Sequence, residues 1–189
     1  MSANTLKVLV YDLTSENRTA LRNTELYGKL KSLRVRSTQL LHRLGLQCTE
    51  SVILISGNSE HKIQRVIDKV MAEYGEVLSE INSVLSVNLP MPIIKVLSVT
   101  GDQLEAFREL AKNRIRTLVD AHVDKVASIL ENLDGNHAGK LAKRLRRLRR
   151  EWAHILSMAR ELGLDLESEI GYLLELIDET VASLRGGSA

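Results

Sequence analysis

The sequence predicts an α/β domain over residues 1–100, an all-helical region over residues 101–186 and a disordered tail over residues 187–189. Three observations support this fold class. Short apolar runs alternate with long helical patterns in the first part, heptad spacing dominates the second part, and only 3% of the residues are aromatic although 44% are hydrophobic. A chain of 189 residues can bury a core without a disulfide or a structural metal.

Three short runs rich in β-branched residues, over 6–13, 51–56 and 93–99, predict β-strands that are buried on both faces. Helical patterns over 16–44 and 59–87 lie between them. Alternation of this kind favours a βαβαβ sheet with long helices and crossover connections.

Two glycines qualify the predicted helices of this domain. Gly45 is expected to end the first helix as a left-handed cap. Gly75 lies inside the second helical pattern, where glycine costs about 1 kcal/mol relative to alanine, so a bend or a close helix contact is expected there.

Beyond residue 100 the pattern predicts three consecutive helices, over 103–133, 140–162 and 166–185. Apolar residues in the last two repeat with alternating spacings of four and three, which is typical of a coiled coil or a helical bundle. Gly163 leaves two possibilities open. We favour a hairpin and hence a three-helix antiparallel bundle, and the alternative is one rod of about 70 Å that would require dimerisation.

The segment over residues 140–150 contains seven cations in eleven residues. Such density is typical of a helix that contacts nucleic-acid phosphates, and equally of a bundle helix with a solvated outer surface. In the second case, acids of the helix over 166–185 would pair with these cations. The residues concerned are Lys140, Lys143, Arg144, Arg146, Arg147, Arg149 and Arg150.

The first predicted helix carries a stripe of cations about 31 Å long, most of them seven residues apart. A row of positive charge along a rod suits a phosphate backbone better than base edges. The alternative is a coiled-coil flank facing Glu73, Glu76 and Glu80. The stripe consists of Arg18, Arg22, Lys29, Arg36 and Arg43.

Catalytic signatures are weak. Asp12 ends the first strand, where open α/β sheets place ligands, but a hydrolytic metal site needs further converging acids or histidines. The five histidines share no ligand spacing, and a single cysteine excludes an internal disulfide framework. We therefore expect no cofactor and no metal, and we interpret Asp12 as a cap or turn residue and Trp152 as a core residue.

The stretches Lys7-Val-Leu-Val-Tyr-Asp-Leu13, Leu44-Gly-Leu-Gln-Cys-Thr-Glu-Ser-Val52 and Ile94-Lys-Val-Leu97 resemble the small ferredoxin-like CRISPR adaptation subunit. The resemblance implies a ferredoxin-like fold, a dimer, duplex DNA bound through basic surfaces and, in some members, RNA cleavage by an aspartate that corresponds to Asp12. The chain departs from that family by a longer first helix, by one evident strand where the family has two, and by its C-terminal helices.

These patterns favour a non-enzymatic, oligomeric nucleic-acid-binding protein without strong sequence specificity, binding duplex DNA or RNA. A homodimer is expected. One alternative is a coiled-coil assembly or adaptor subunit that docks a protein partner through its helical seams. The other is a metal-dependent nuclease using Asp12. No apolar run reaches the roughly 20 residues of a membrane span, and the N-terminus lacks the plan of a signal peptide, so we expect a cytoplasmic protein.

Overall fold

The computed structural model describes residues 6–13, 24–57, 60–131 and 138–186. Within these ranges the chain is mixed α/β, with one four-stranded antiparallel sheet and five helices. It divides into two compact units, Met1–Phe107 and Arg108–Ala189. No helix in the described part of the chain is long and apolar enough to cross a membrane.

The first unit has the element order β-α-β-β-α-β. All strand pairs are antiparallel and the strand order is β2-β3-β1-β4, which is the split βαβ arrangement of ferredoxin-like folds. The βαβαβ alternative with crossovers between parallel neighbours is therefore wrong. The elements are β1 (Leu6–Asp12), α1 (Glu25–His42), β2 (Gly45–Thr49), β3 (Val52–Ile55), α2 (Glu60–Leu85) and β4 (Ile93–Val99).

The sequence pattern missed β2, because Gly45 was interpreted as the left-handed cap of the first helix. In the structure Gly45 does not have a positive φ. Gly45 is the first residue of β2 and pairs with Ile55. A Cβ atom on Gly45 would lie 2.0 Å from the carbonyl oxygen of Leu54, so the close approach of two strands requires glycine here. Gly75 shows the opposite: a Cβ atom there would meet nothing within 4 Å, so the expected close contact is absent.

Helix α1 begins at Glu25 rather than at residue 16. Thr24 has extended backbone angles, and its side-chain oxygen accepts a hydrogen bond from the Tyr27 N–H at 3.3 Å, which makes Thr24 the N-cap. Residues 14–23, which the sequence pattern assigned to the same helix, lie outside the described ranges.

The two helices cover one face of the sheet, where Leu9 and Ile53 pack against Leu33 and Ile81. The other face is also buried, and the Cys48 thiol contacts the carbonyl oxygen of Phe107 at 3.5 Å. The expectation of strands buried on both faces fails for β4, in which five of seven residues are exposed.

The helices of the second part are α3 (Gly101–Glu131), α4 (Ala138–Glu161) and α5 (Glu167–Gly186), and α3 begins in the first unit and continues in the second. Gly163 ends α4 with φ of 68°. The N–H groups of Gly163 and Leu164 donate to the carbonyls of Arg160 and Ala159, which is a Schellman motif. The chain therefore turns back after Gly163, and 138–185 is not one rod.

Candidate nucleic-acid interface

Helix α4 is stabilised by a line of apolar residues along one side, which we call its seam. Leu145, Trp152 and Ala159 recur at seven-residue intervals and are buried, and the Trp152 ring meets the His122 ring edge-on at 5.6 Å. The prediction that Trp152 belongs to the core is confirmed. Since the seam occupies one side, the cations of residues 140–150 are distributed over the remaining surface.

All seven cations of this segment are exposed, and two of them are paired with acids. Arg147 pairs with Glu151 on the same helix at 3.0 Å. Arg149 donates from Nε to both carboxylate oxygens of Asp178 on α5, at 2.6 and 2.8 Å. The other five form no salt bridge within the described chain, and we call them the α4 basic face: Lys140, Lys143, Arg144, Arg146 and Arg150.

The acids of α5 are displaced from Lys143, Arg144 and Arg146 of this face by the register of the hairpin. Arg149 pairs with Asp178, and Arg160 pairs with Glu167. A step of 11 residues forward along α4 thus corresponds to a step of 11 residues backward along α5. The two helices therefore run antiparallel in one register, in which the numbers of opposite residues add up to 327. Residues 141–147 of α4 therefore lie opposite residues 180–186, where the sequence has no acid.

The acidic residues nearer the turn have other partners. Glu167 pairs with Arg160, and Glu169 pairs with Arg116 of α3 at 3.0 Å. The Glu169 carboxylate accepts hydrogen bonds from the Ser168 hydroxyl, from the backbone N–H of Glu169 and from Arg116. These bonds hold the pKa of Glu169 below its usual range. We expected acids of the helix over 166–185 to form salt bridges with the cations of 140–150. Within the described chain, Arg149 is the one cation of that segment that pairs with an acid of α5.

The backbone of α4 adds to the positive potential. Four of the five cations of the basic face lie in the N-terminal half of the helix, whose first turn contains no acid. The helix dipole is positive at this end and disfavours Lys140, which lies in the first turn, by about 0.3–1 kcal/mol.

A groove of about 310 Å³ lies between α3 and α4, beside the basic face. Its apolar lining includes Val126 and Leu148, and Lys125 and Arg144 contribute positive charge. Lys125 was missed by sequence reasoning, because no charge pattern on α3 marks it. Lys125 of α3 and Arg144 of α4 line the same groove.

The stripe on the first helix is partly neutralised. Lys29 donates a hydrogen bond to Glu80 of α2 at 2.7 Å, and this bond raises the pKa of Lys29. This contact agrees with the alternative interpretation of a flank facing acids. Arg36 and Arg43 are exposed and form no salt bridge with described residues, and Arg43 is the C-cap of α1. Arg18 and Arg22 lie outside the described ranges.

Asp12 is the last residue of β1 and is exposed. Its Cα partner on the neighbouring strand is Ile93, which offers no metal ligand. Among residues 6–13, 24–57, 60–131 and 138–186, no group of three histidine, cysteine or acidic side chains is arranged to hold a metal ion.

Comparison of this chain with protein-family models, with curated proteins and with solved structures finds no match.

Proposed function

We propose that this protein is a non-enzymatic nucleic-acid-binding protein that contacts phosphates through the α4 basic face and recognises no particular base sequence. Duplex DNA is the preferred ligand and RNA the alternative. The proposal includes a homodimer in the cytoplasm, with α3, α4 and α5 as a three-helix antiparallel bundle that holds the basic face rigid.

The observation that carries the proposal is the lack of acidic partners for the five cations of the basic face within the described chain. A solvated bundle helix gains little from such a cluster, since its members repel one another. A polyanion removes this repulsion, and release of its counterions drives binding.

The spacing of the cations indicates phosphates as their targets. Lys143, Arg146 and Arg150 lie on the side of α4 away from the seam, and the first and last are about 10.5 Å apart along the axis. That distance corresponds to about three base pairs of duplex rise. Contacts between such cations and phosphates fix the position of a protein on the nucleic-acid backbone and carry no sequence information.

The adaptor alternative is less well supported, because the seams that would dock a partner are used within the chain. Ile170, Leu173 and Ile177 of α5 are completely buried, as are Leu162 and Leu166 at the turn. A partner helix could not reach these residues without opening the hairpin.

The test is a binding titration with duplex DNA, single-stranded DNA and RNA at several salt concentrations. With about five phosphate contacts, the logarithm of the affinity should fall with the logarithm of salt with a slope of about −4.5 for duplex, a loss on the order of several hundredfold between 50 and 200 mM. Duplexes of different sequence should bind alike. Absence of binding to all three probes at low salt would reject the proposal.

A further inference from the structure

Strand β4 is an open edge of the sheet. Its inner side pairs with β1 in one unbroken register, from Asp12 opposite Ile93 to Leu6 opposite Val99. Its outer side has no strand partner within the described chain. The backbone N–H and C=O groups along that side can therefore pair with another strand.

The side chains of β4 are unusually apolar for such an edge. Ile93 is 58% exposed, Leu97 47% and Val96 37%, and Lys95 is the one charged residue of the strand. Exposed edges are normally protected by charges, proline, a bulge or short length, and β4 has seven residues in regular register. An apolar and regular edge of this length is a site for association.

The opposite edge of the sheet shows what protection looks like in this chain. Strand β2 has five residues, and its pairing with β3 is interrupted by a register shift between Gln47 and Thr49. Its residues Leu46 and Cys48 are buried. The two edges therefore differ, and association through the sheet is expected at β4.

We propose that β4 pairs antiparallel with β4 of a second copy of this chain, about a twofold axis at Val96. This arrangement joins two four-stranded sheets into one. The strand is self-complementary in that register, as a twofold interface requires. Lys95 lies opposite Leu97 of the second copy, so the two lysines do not face each other, and Ile93 lies opposite Val99.

A second copy is the occupant that the charges of β4 favour. Self-pairing about Val96 keeps the two Lys95 ammonium groups apart and in water, places the aliphatic stem of each against Leu97 of the other copy, and needs no acid on the partner. This inference deepens the oligomeric part of the proposed function. It does not depend on nucleic-acid binding, and its test contains no nucleic acid.

Two substitutions at one position test the register. Leu97→Lys places a cation opposite Lys95 of the second copy, and Leu97→Glu places an anion there. Both put a charged side chain of similar length at the same half-exposed site, so their effects on folding are matched. Light scattering over a wide range of protein concentration should give twice the 21.1 kDa of one chain for the unsubstituted protein.

We expect Leu97→Lys to weaken dimerisation on the order of tenfold relative to Leu97→Glu, because each dimer contains two of these cross-strand pairs. Adding Lys95→Glu to Leu97→Lys should restore the dimer. Amide hydrogen exchange of residues 93–99 should slow as the protein concentration rises. A monomeric unsubstituted protein, or equal behaviour of the two Leu97 variants, would overturn the inference. Protection of these amides that does not change with concentration would also overturn it and would assign the edge to another segment of the same chain.

Discussion

The Nε–H of Arg149 on α4 donates a bifurcated hydrogen bond to the carboxylate of Asp178 on α5, with Nε 2.6 and 2.8 Å from the two carboxylate oxygens. This pair marks the point where the positive segment of α4 meets the negative part of α5. On the N-terminal side of Arg149, residues 141–147 of α4 have no acid opposite them on α5. On its C-terminal side, Arg160 pairs with Glu167. The hairpin therefore separates the charges of the two helices instead of cancelling them.

Breaking this pair should strengthen binding of nucleic acid. In Asp178→Asn the Arg149 side chain keeps its charge and loses its partner, so we expect the slope of log affinity against log salt to steepen by up to about 0.9, the contribution of one more phosphate contact. The unfolding free energy should change by only about 0–1 kcal/mol, because both side chains are about half exposed.

The control for this substitution is Glu175→Gln, which removes one negative charge from an exposed position of α5 that forms no salt bridge within the described chain. Its salt slope should stay at the value of the unsubstituted protein. Equal steepening in both variants would mean that net charge, and not the release of Arg149, controls binding.

Gly163 should be the glycine of the hairpin that tolerates alanine least. Its φ of 68° is strained for an L-residue by roughly 1–2 kcal/mol, so Gly163→Ala should lower the unfolding free energy by about that amount. Gly171 lies inside α5, and a Cβ atom there would meet nothing within 4 Å, so Gly171→Ala should raise it by about 0.5–1 kcal/mol. Chemical denaturation measures both values, and equal signs for the two substitutions would contradict the described turn.

The Cys48 thiol should be nearly inert in the folded protein. Burial raises its pKa from 9.0 to about 11, which lowers the thiolate fraction near neutral pH about a hundredfold. A thiol reagent at pH 8 should therefore react at least about a hundredfold more slowly with the native protein than with the denatured protein. Similar rates in the two states would show that Cys48 is accessible.

The same shift has a consequence for stability. The unfolded chain loses the thiol proton near its ordinary pKa of 9.0, and the folded chain loses it near 11. The unfolding free energy should therefore fall as the pH rises from 9 to 11, because the unfolded state releases the proton first. In Cys48→Ala this part of the pH dependence should be absent.

Local patterns predicted the helices of the second unit well. The seam of α4 and α5 follows from alternating spacings of four and three residues, and Gly163 marked the turn. The partners of the cations could not be predicted in the same way. They depend on the register of the hairpin, which is fixed by the geometry of the Schellman turn and not by the positions of the charges.

The first unit shows where local patterns fail. Gly45 follows a long helical pattern and so resembles a helix cap, but tertiary contact with the backbone of Leu54 decides its role. Strand β2 was missed for this reason, and with it the antiparallel sheet. The open edge at β4 was also hidden, because its apolar residues predict burial whether or not a neighbour is present.

The central claim is that unpaired cations of the α4 basic face contact phosphates, and two matched triple variants test it most directly. Lys143→Gln/Arg146→Gln/Arg150→Gln removes three cations of the basic face. Lys112→Gln/Arg116→Gln/Arg160→Gln removes one lysine and two arginines that are paired with acids, namely with Glu109, Glu169 and Glu167. Both variants lose the same net charge.

The measurement is the salt dependence of binding to one duplex. For the first variant the account predicts a slope smaller in magnitude by about 2.7, from three lost phosphate contacts at about 0.9 each, and for the second a slope close to that of the unsubstituted protein. Equal slopes for the two variants, whether both unchanged or both reduced, would contradict the claim.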